Sequence, residues 1–148
     1  TYESGEMDVV CVARQVFRIL SFENRMEGKL YAGGDVEFLD LVYDADNPMR
    51  EEVLQKIETL YRLMEVPFTK IPPKQFNSYS LAHKMGLSFQ QEYELLQISK
   101  ESDRLAFIKS HLETTIRVLQ EVNRTKTIID QNGHFKNFDP LDFKNFKI

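Results

Sequence analysis

The 148-residue chain is 42% apolar and 28% charged, an ordinary balance for one globular domain. Its net charge of −4 leaves no positive excess to neutralise phosphates, so nucleic acid is not an expected partner. No apolar run approaches the ~20 residues a membrane helix needs and no signal-peptide pattern is present, so no membrane partner is expected either.

Cys11 is the single cysteine, which excludes an internal disulfide and multi-cysteine zinc sites. It stands in the run Val9-Val10-Cys11-Val12-Ala13, where a small buried apolar residue is expected. A reducing, cytoplasmic setting fits that usage. The chain opens at Thr1 without Met, which reads as a fragment or a processed product.

In chain order, residues 1–46 read as β. Asp8 to Ala13 is rich in Val, and Gln15 to Phe22 continues in β-branched and aromatic residues. Phe17 and Ile19 point one way, with Val16, Arg18, Leu20 and Phe22 on the other side. Apolar side chains on both faces suit a closed barrel or a covered sheet. Residues 23–29 form a loop. A third extended run, Leu30 to Tyr43, is interrupted at Gly33-Gly34, where a bulge, a bend or a close backbone approach is expected. Three strands cannot close a barrel. Further strands come from upstream of Thr1, or from a second chain that completes the barrel edge as a homo-oligomer, or the sheet stays open.

At Asp44-Ala45-Asp46-Asn47-Pro48 the pattern turns helical. Asp46 or Asn47 caps, Pro48 suits the first helical position, and Glu51 and Glu52 favour the positive end of the helix dipole. Val53, Leu54, Ile57, Leu60, Tyr61 and Met64 form one apolar face, and Pro67 ends the helix. A stiff linker, residues 70–74, leads to a predicted short helix at SYSLAHKM, closed by Gly86 as its left-handed cap. Ser88 with Gln91 forms a capping box for another short helix. Ser99 or Ser102 then caps a long one, with Leu105, Ile108, Leu112, Ile116, Leu119 and Val122 in a single stripe. From Ser102 to Lys126 it spans ~37 Å. The domains are therefore residues 1–46 (strands), 47–130 (a helical subdomain) and 131–148 (a Phe-rich tail). Strands followed by helices, without alternation, indicate an α+β fold. In the tail, Phe135, Phe138, Phe143 and Phe146 are anchors, either packed back on the domain or docked on a partner.

Motifs for chemistry are missing. There is no phosphate-binding G-x-x-x-x-G-K-[ST], no H-E-x-x-H and no G-x-S-x-G elbow. His83, His111 and His134 lie far apart in sequence, and His111 and Glu113 point about 200° apart on a helix. No catalytic residue, metal site or cofactor is expected, and the chain is not expected to be an enzyme.

The order of two strand-like runs carries a resemblance. Asp8-Val9-Val10-Cys11-Val12-Ala13-Arg14-Gln15-Val16-Phe17-Arg18-Ile19-Leu20 precedes Leu30-Tyr31-Ala32-Gly33-Gly34-Asp35-Val36-Glu37-Phe38-Leu39-Asp40. Downstream, Leu95-Leu96-Gln97-Ile98 leads to Asp103-Arg104-Leu105 and then Leu112-Glu113 and Ile116. Over most of residues 5–125 this resembles the Lon protease N-terminal (substrate-binding) domain family, in particular a stand-alone bacterial member. Ala13 departs from the Gly that often precedes the Arg in that family.

The resemblance implies a partial PUA-like β-barrel of three or more strands, its first strands and their Pro-rich opening lying before Thr1, then a helical subdomain with one long helix. It implies a non-catalytic module that binds unfolded or partner proteins in protein quality control, with Tyr31 and Phe38 as binding residues and the tail phenylalanines Phe135, Phe138, Phe143 and Phe146 as further candidates. An alternative is the N-terminal fragment of a full ATP-dependent Lon-type serine protease, which would carry that enzyme's description by inheritance. The tail around Asp139-Pro140-Leu141 counts against it, since the family continues its long helix toward the ATPase. A remote alternative is an RNA-binding PUA-like domain, opposed by the acidic balance.

Overall fold

The computed structural model describes residues 3–131. The chain divides after Asp40 into two compact units. The expected α+β architecture with a barrel of three or more strands is overturned. Among the described residues the fold is mainly helical, with three α-helices and one two-stranded antiparallel sheet.

The first unit is built on a hairpin. Strands β1 (Phe17–Ile19) and β2 (Val36–Phe38) pair with Phe17 opposite Phe38, Arg18 opposite Glu37 and Ile19 opposite Val36. Leu39 N–H donates to Val16 O and Leu20 N–H to Asp35 O, extending the ladder at both ends. Ser21 N–H also donates to Asp35 O, and the next pair is Glu23 with Gly33. One strand has therefore gained a residue, a bulge at Leu20–Ser21 opposite Asp35. Ser21 Oγ–H donates to Asp35 Oδ2 and Asp35 N–H donates to Ser21 Oγ, fixing the bulge from the side. Gly34 lies against the Ser21 carbonyl so closely that a Cβ would collide with it. Gly34 thus serves a close backbone approach, with the bulge across from it, whereas a Cβ at Gly33 would meet the Met26 side chain.

The run Asp8–Ala13 forms no strand, and it is exposed throughout. Val on both sides gives it no single face to bury, and no tight turn folds it onto β1. Cys11, expected to be buried, is exposed for the same reason. Most of the third expected run is also irregular: Val36–Phe38 is its regular strand, with isolated bridges at Gly33 and Val42.

The second unit holds the core. Helix α1 (Asn47–Leu63) is capped by Asp46, whose carboxylate accepts from Met49 N–H, with Pro48 in its first turn. It buries Val53, Leu54, Ile57 and Leu60. Two single-turn 3-10 helices follow, Pro73–Gln75 and Ala82–Lys84. The predicted helix at SYSLAHKM is not α-helical, because Asn77 Oδ1 accepts from the Tyr79 and Ser80 N–H groups. That local bonding offers the backbone a turn in place of a helix. Gly86 follows with φ of 74°.

Helix α2 (Phe89–Gln97) begins at the expected capping box: Gln91 N–H donates to Ser88 Oγ and Ser88 N–H to Gln91 Oε1. Helix α3 (Glu101–Gln131) is about 46 Å long. Its stripe is buried at Leu105, Ile108 and Leu112 and half-buried at Ile116 and Leu119, whereas Val122 is 38% exposed. The helix leaves the core as it proceeds. Leu105, Ile108 and Leu112 pack with the α1 face, Phe76, Leu81, Met85, Leu87 and Leu95 in one hydrophobic cluster.

Candidate functional site: an exposed hairpin face and three polar clusters

The pleat of the hairpin sends Phe17, Ile19, Val36 and Phe38 to one face and Arg18 and Glu37 to the other. The four apolar side chains are all exposed, Phe17 at 50%, Ile19 at 59% and Phe38 at 56%. Phe17 and Phe38 meet edge to face, ring centroids 6.2 Å apart, the arrangement that aromatic quadrupoles favour. Opposite, Arg18 and Glu37 form a solvent-exposed ion pair at 3.4 Å, of little energetic weight. With two strands among the described residues, each strand keeps an outer edge of backbone donors and acceptors that no further described strand uses.

Tyr31 and Phe38 do not share one patch. Phe38 lies on β2, while Tyr31 sits in the connecting loop beyond the Glu23–Gly33 pair. Tyr31 is exposed, with the Lys29 ammonium 5.8 Å from its ring centroid. Phe135, Phe138, Phe143 and Phe146 lie outside the described residues. The face partners of Phe38 are Phe17, Ile19 and Val36, which the alternation of QVFRIL and VEF could have assigned to one surface.

A buried polar cluster joins the start of α3 to the turn at residues 77–80. Arg104, Glu101 and Ser78 are fully buried. Arg104 Nε–H points at Ser78 Oγ and Glu101 Oε2, and Nη2 donates to Glu101 Oε2 at 2.8 Å. Nη1 donates to the Ile98 and Ser99 carbonyls at 2.7 and 2.8 Å. Ser78 closes the cluster, its N–H donating to Glu101 Oε1 and its Oγ–H to Oε2. The guanidinium also lies 4.8 Å from the Tyr79 ring centroid and 5.7 Å from that of Tyr43. Burial pushes the Tyr79 phenol up, and the neighbouring Arg104 charge opposes that shift. With its carboxylate and guanidinium so fully engaged, the cluster is built to hold structure rather than to react.

Across the exposed side of the helices, Lys56 meets Glu113 at 3.0 Å and Lys109 meets Glu52 at 2.6 Å. The hydrogen bond from Lys56 holds the Glu113 carboxyl below the usual carboxylate range, and that from Lys109 to Glu52 holds the ammonium up. A shallow recess lined by Lys56, Glu113, Ile116 and Arg117 lies beside these pairs. The lysine and the carboxylate there already neutralise each other.

His111 is half-buried. Its Nε2 lies 3.0 Å from the Met85 carbonyl and its Nδ1 3.4 Å from Gln91 Nε2. His83 is exposed. Among the described residues no group of three His, Cys, Asp or Glu side chains is placed to hold a metal ion. No helix among them is long and apolar enough to cross a membrane. No protein-family model, no curated protein and no solved structure matches the chain.

Proposed function

We propose that the chain is a non-catalytic protein-binding module that captures extended apolar segments of unfolded or partner polypeptides through its hairpin. The observation that carries this reading is the exposed face of Phe17, Ile19, Val36 and Phe38, on a sheet to which no further strand is paired among the described residues. A two-stranded hairpin alone is marginal in water. An added strand would give main-chain hydrogen bonds along an edge, while its alternate side chains cover the phenylalanines. The role is that of the Lon protease N-terminal domain, which the chain resembles in the order of its sequence motifs, and a cytoplasmic place in protein quality control goes with it.

The test is fluorescence anisotropy of a labelled, chemically unfolded test protein titrated with the full chain. Phe17→Ser combined with Phe38→Ser is expected to abolish the rise in anisotropy. Arg18→Ala combined with Glu37→Ala, on the opposite face, is expected to retain it. No rise with the unaltered chain discards the proposal.

A further inference from the structure

The surroundings of His111 admit only one arrangement of protons. Gln91 Oε1 accepts from Ser88 N–H at 2.9 Å, completing the capping box of α2. The amide of Gln91 is thereby oriented, and the group it turns toward His111 Nδ1 is its NH2, a pure donor. Nδ1 must then present a lone pair. The ring proton belongs on Nε2, where it donates to the Met85 carbonyl at 3.0 Å. Thr115 Oγ1 lies 3.4 Å from Nε2, but its own hydrogen goes to the His111 carbonyl at 3.0 Å, so the oxygen faces Nε2 as a second acceptor. Every group is satisfied by a neutral imidazole in this tautomer.

From this geometry we infer that His111 is a proton-sensitive latch on the first turn of α2. It ties three pieces together: α3, on which it sits, the turn after Ala82–Lys84 through Met85, and α2 through Gln91. A proton added at Nδ1 sets N–H against the Gln91 NH2. Rotating the amide by 180° relieves that clash only by turning the NH2 toward Ser88 N–H, which loses the capping bond. The imidazolium also faces the positive end of the α2 dipole. Protonated His111 and the intact Gln91 half of the capping box are therefore mutually exclusive.

The charged groups on the packed elements do not undo this conflict. On the 3-10 turn these are His83 and Lys84, both exposed. On α2 the acidic groups are Glu92 and Glu94, and Glu94 accepts from Gln90 Nε2. On α3, Glu113 is engaged by Lys56 of α1 and Lys109 by Glu52. None of these side chains is hydrogen-bonded to the imidazole in place of Gln91. Unlatching loosens the turn that leads into Leu95, which is buried at 1% exposure against the core.

Nitrogen-15 and carbon-13 histidine spectra of the full chain, recorded through a pH titration with amide hydrogen exchange, test the latch. Neutral His111 is expected as the Nε2–H tautomer. Exchange of the Glu92 to Leu95 amides should accelerate about threefold to tenfold, the range a lost helix cap supports, with the same midpoint as the His111 ring itself. Gln91→Glu supplies a carboxylate that accepts from both Ser88 N–H and a protonated Nδ1, so in that variant the acid-side acceleration should vanish or reverse. The tautomer is read on the unaltered chain, so a poorly folded variant leaves that arm intact. An Nδ1–H tautomer, exchange that ignores the His111 midpoint, or a folded Gln91→Glu chain that still opens with acid would each overturn the inference.

Discussion

Asp44 closes the first turn of α3 from 58 residues away: its Oδ1 accepts from Ser102 N–H and its Oδ2 from Ser102 Oγ–H, both at 2.9 Å. The helix needs this help. Its first intrahelical bond, from Arg104 N–H, ends on the carbonyl of Lys100, whose side chain has no acceptor to offer. Ser99, a candidate cap by sequence, instead gives its carbonyl to Val42 N–H, while Glu101 N–H returns to the Val42 carbonyl. The bonds from Ser102, backbone first, hold the Asp44 carboxyl below the usual carboxylate range.

The sign of the resulting pH dependence follows. A carboxylate with a depressed folded-state pKa stabilises fully above its unfolded value, about pH 4, and its contribution fades as pH falls through the lower folded value. Asp44→Asn should therefore melt below the unaltered chain at neutral pH, and the two melting temperatures should converge as pH drops below about 4. Thermal unfolding across that range measures it. A difference that stays constant down to strong acid would contradict the capping role.

Arg104→Met should cost about 3–5 kcal/mol, because it strands the Glu101 carboxylate in a fully buried site. Against a typical total stability of about 5–15 kcal/mol, this is enough to shift a urea midpoint markedly. A change under about 1 kcal/mol would mean that water reaches Glu101 and replaces the guanidinium.

Leu112→Ala and Val122→Ala probe the same stripe at two depths. Leu112 is fully buried, so its truncation should cost about 2–5 kcal/mol. Val122 is 38% exposed, and Ala is the better helix former by up to about 0.7 kcal/mol, so its replacement should fall near zero. Chemical denaturation of the two variants distinguishes a helix that leaves the core from one buried along its length.

Gly34→Ala places a methyl group against the Ser21 carbonyl, at the point where the hairpin is drawn in by its bulge. The expected outcome is loss of exchange protection at the Leu20 and Glu23 amides, which donate across the hairpin to Asp35 and Gly33. Protection unchanged at both would show that the close approach is dispensable.

Local signals in the sequence carried furthest. Asp46 before Pro48, Ser88 three residues before Gln91, and the apolar spacing from Leu105 to Leu119 each specify an element from neighbouring residues, and the structure forms all three. Features set by distant partners were hidden. The Asp44 cap and the Ser78–Glu101–Arg104 cluster join residues far apart in the chain, and no local pattern ties a lone Asp or Ser to a helix start elsewhere. The first expected strand, Asp8 to Ala13, failed for a related reason. Val-rich spelling at residues 9–12 expresses a preference for extended backbone, but a strand exists only where a partner accepts its hydrogen bonds. On the hairpin face, alternation put Phe17 with Ile19, while the register that sets them beside Val36 and Phe38, and the bulge that offsets it, lie in backbone pairing.

The far end of α3 stands apart from the rest of the helix. Asn123 Nδ2 donates to the carbonyl of Leu63, the last residue of α1, and every residue from Glu121 to Asp130 is exposed. Thr125 and Thr127 bond back to the carbonyls one turn earlier, a habit that does little for helix strength. These last turns borrow their helicity from the packed turns before them, since so short a helix is marginal in water by itself. On warming, α3 should unzip from this end while the cluster around Leu105 and Leu112 is still intact, so helical ellipticity begins to slope away well before the cooperative transition.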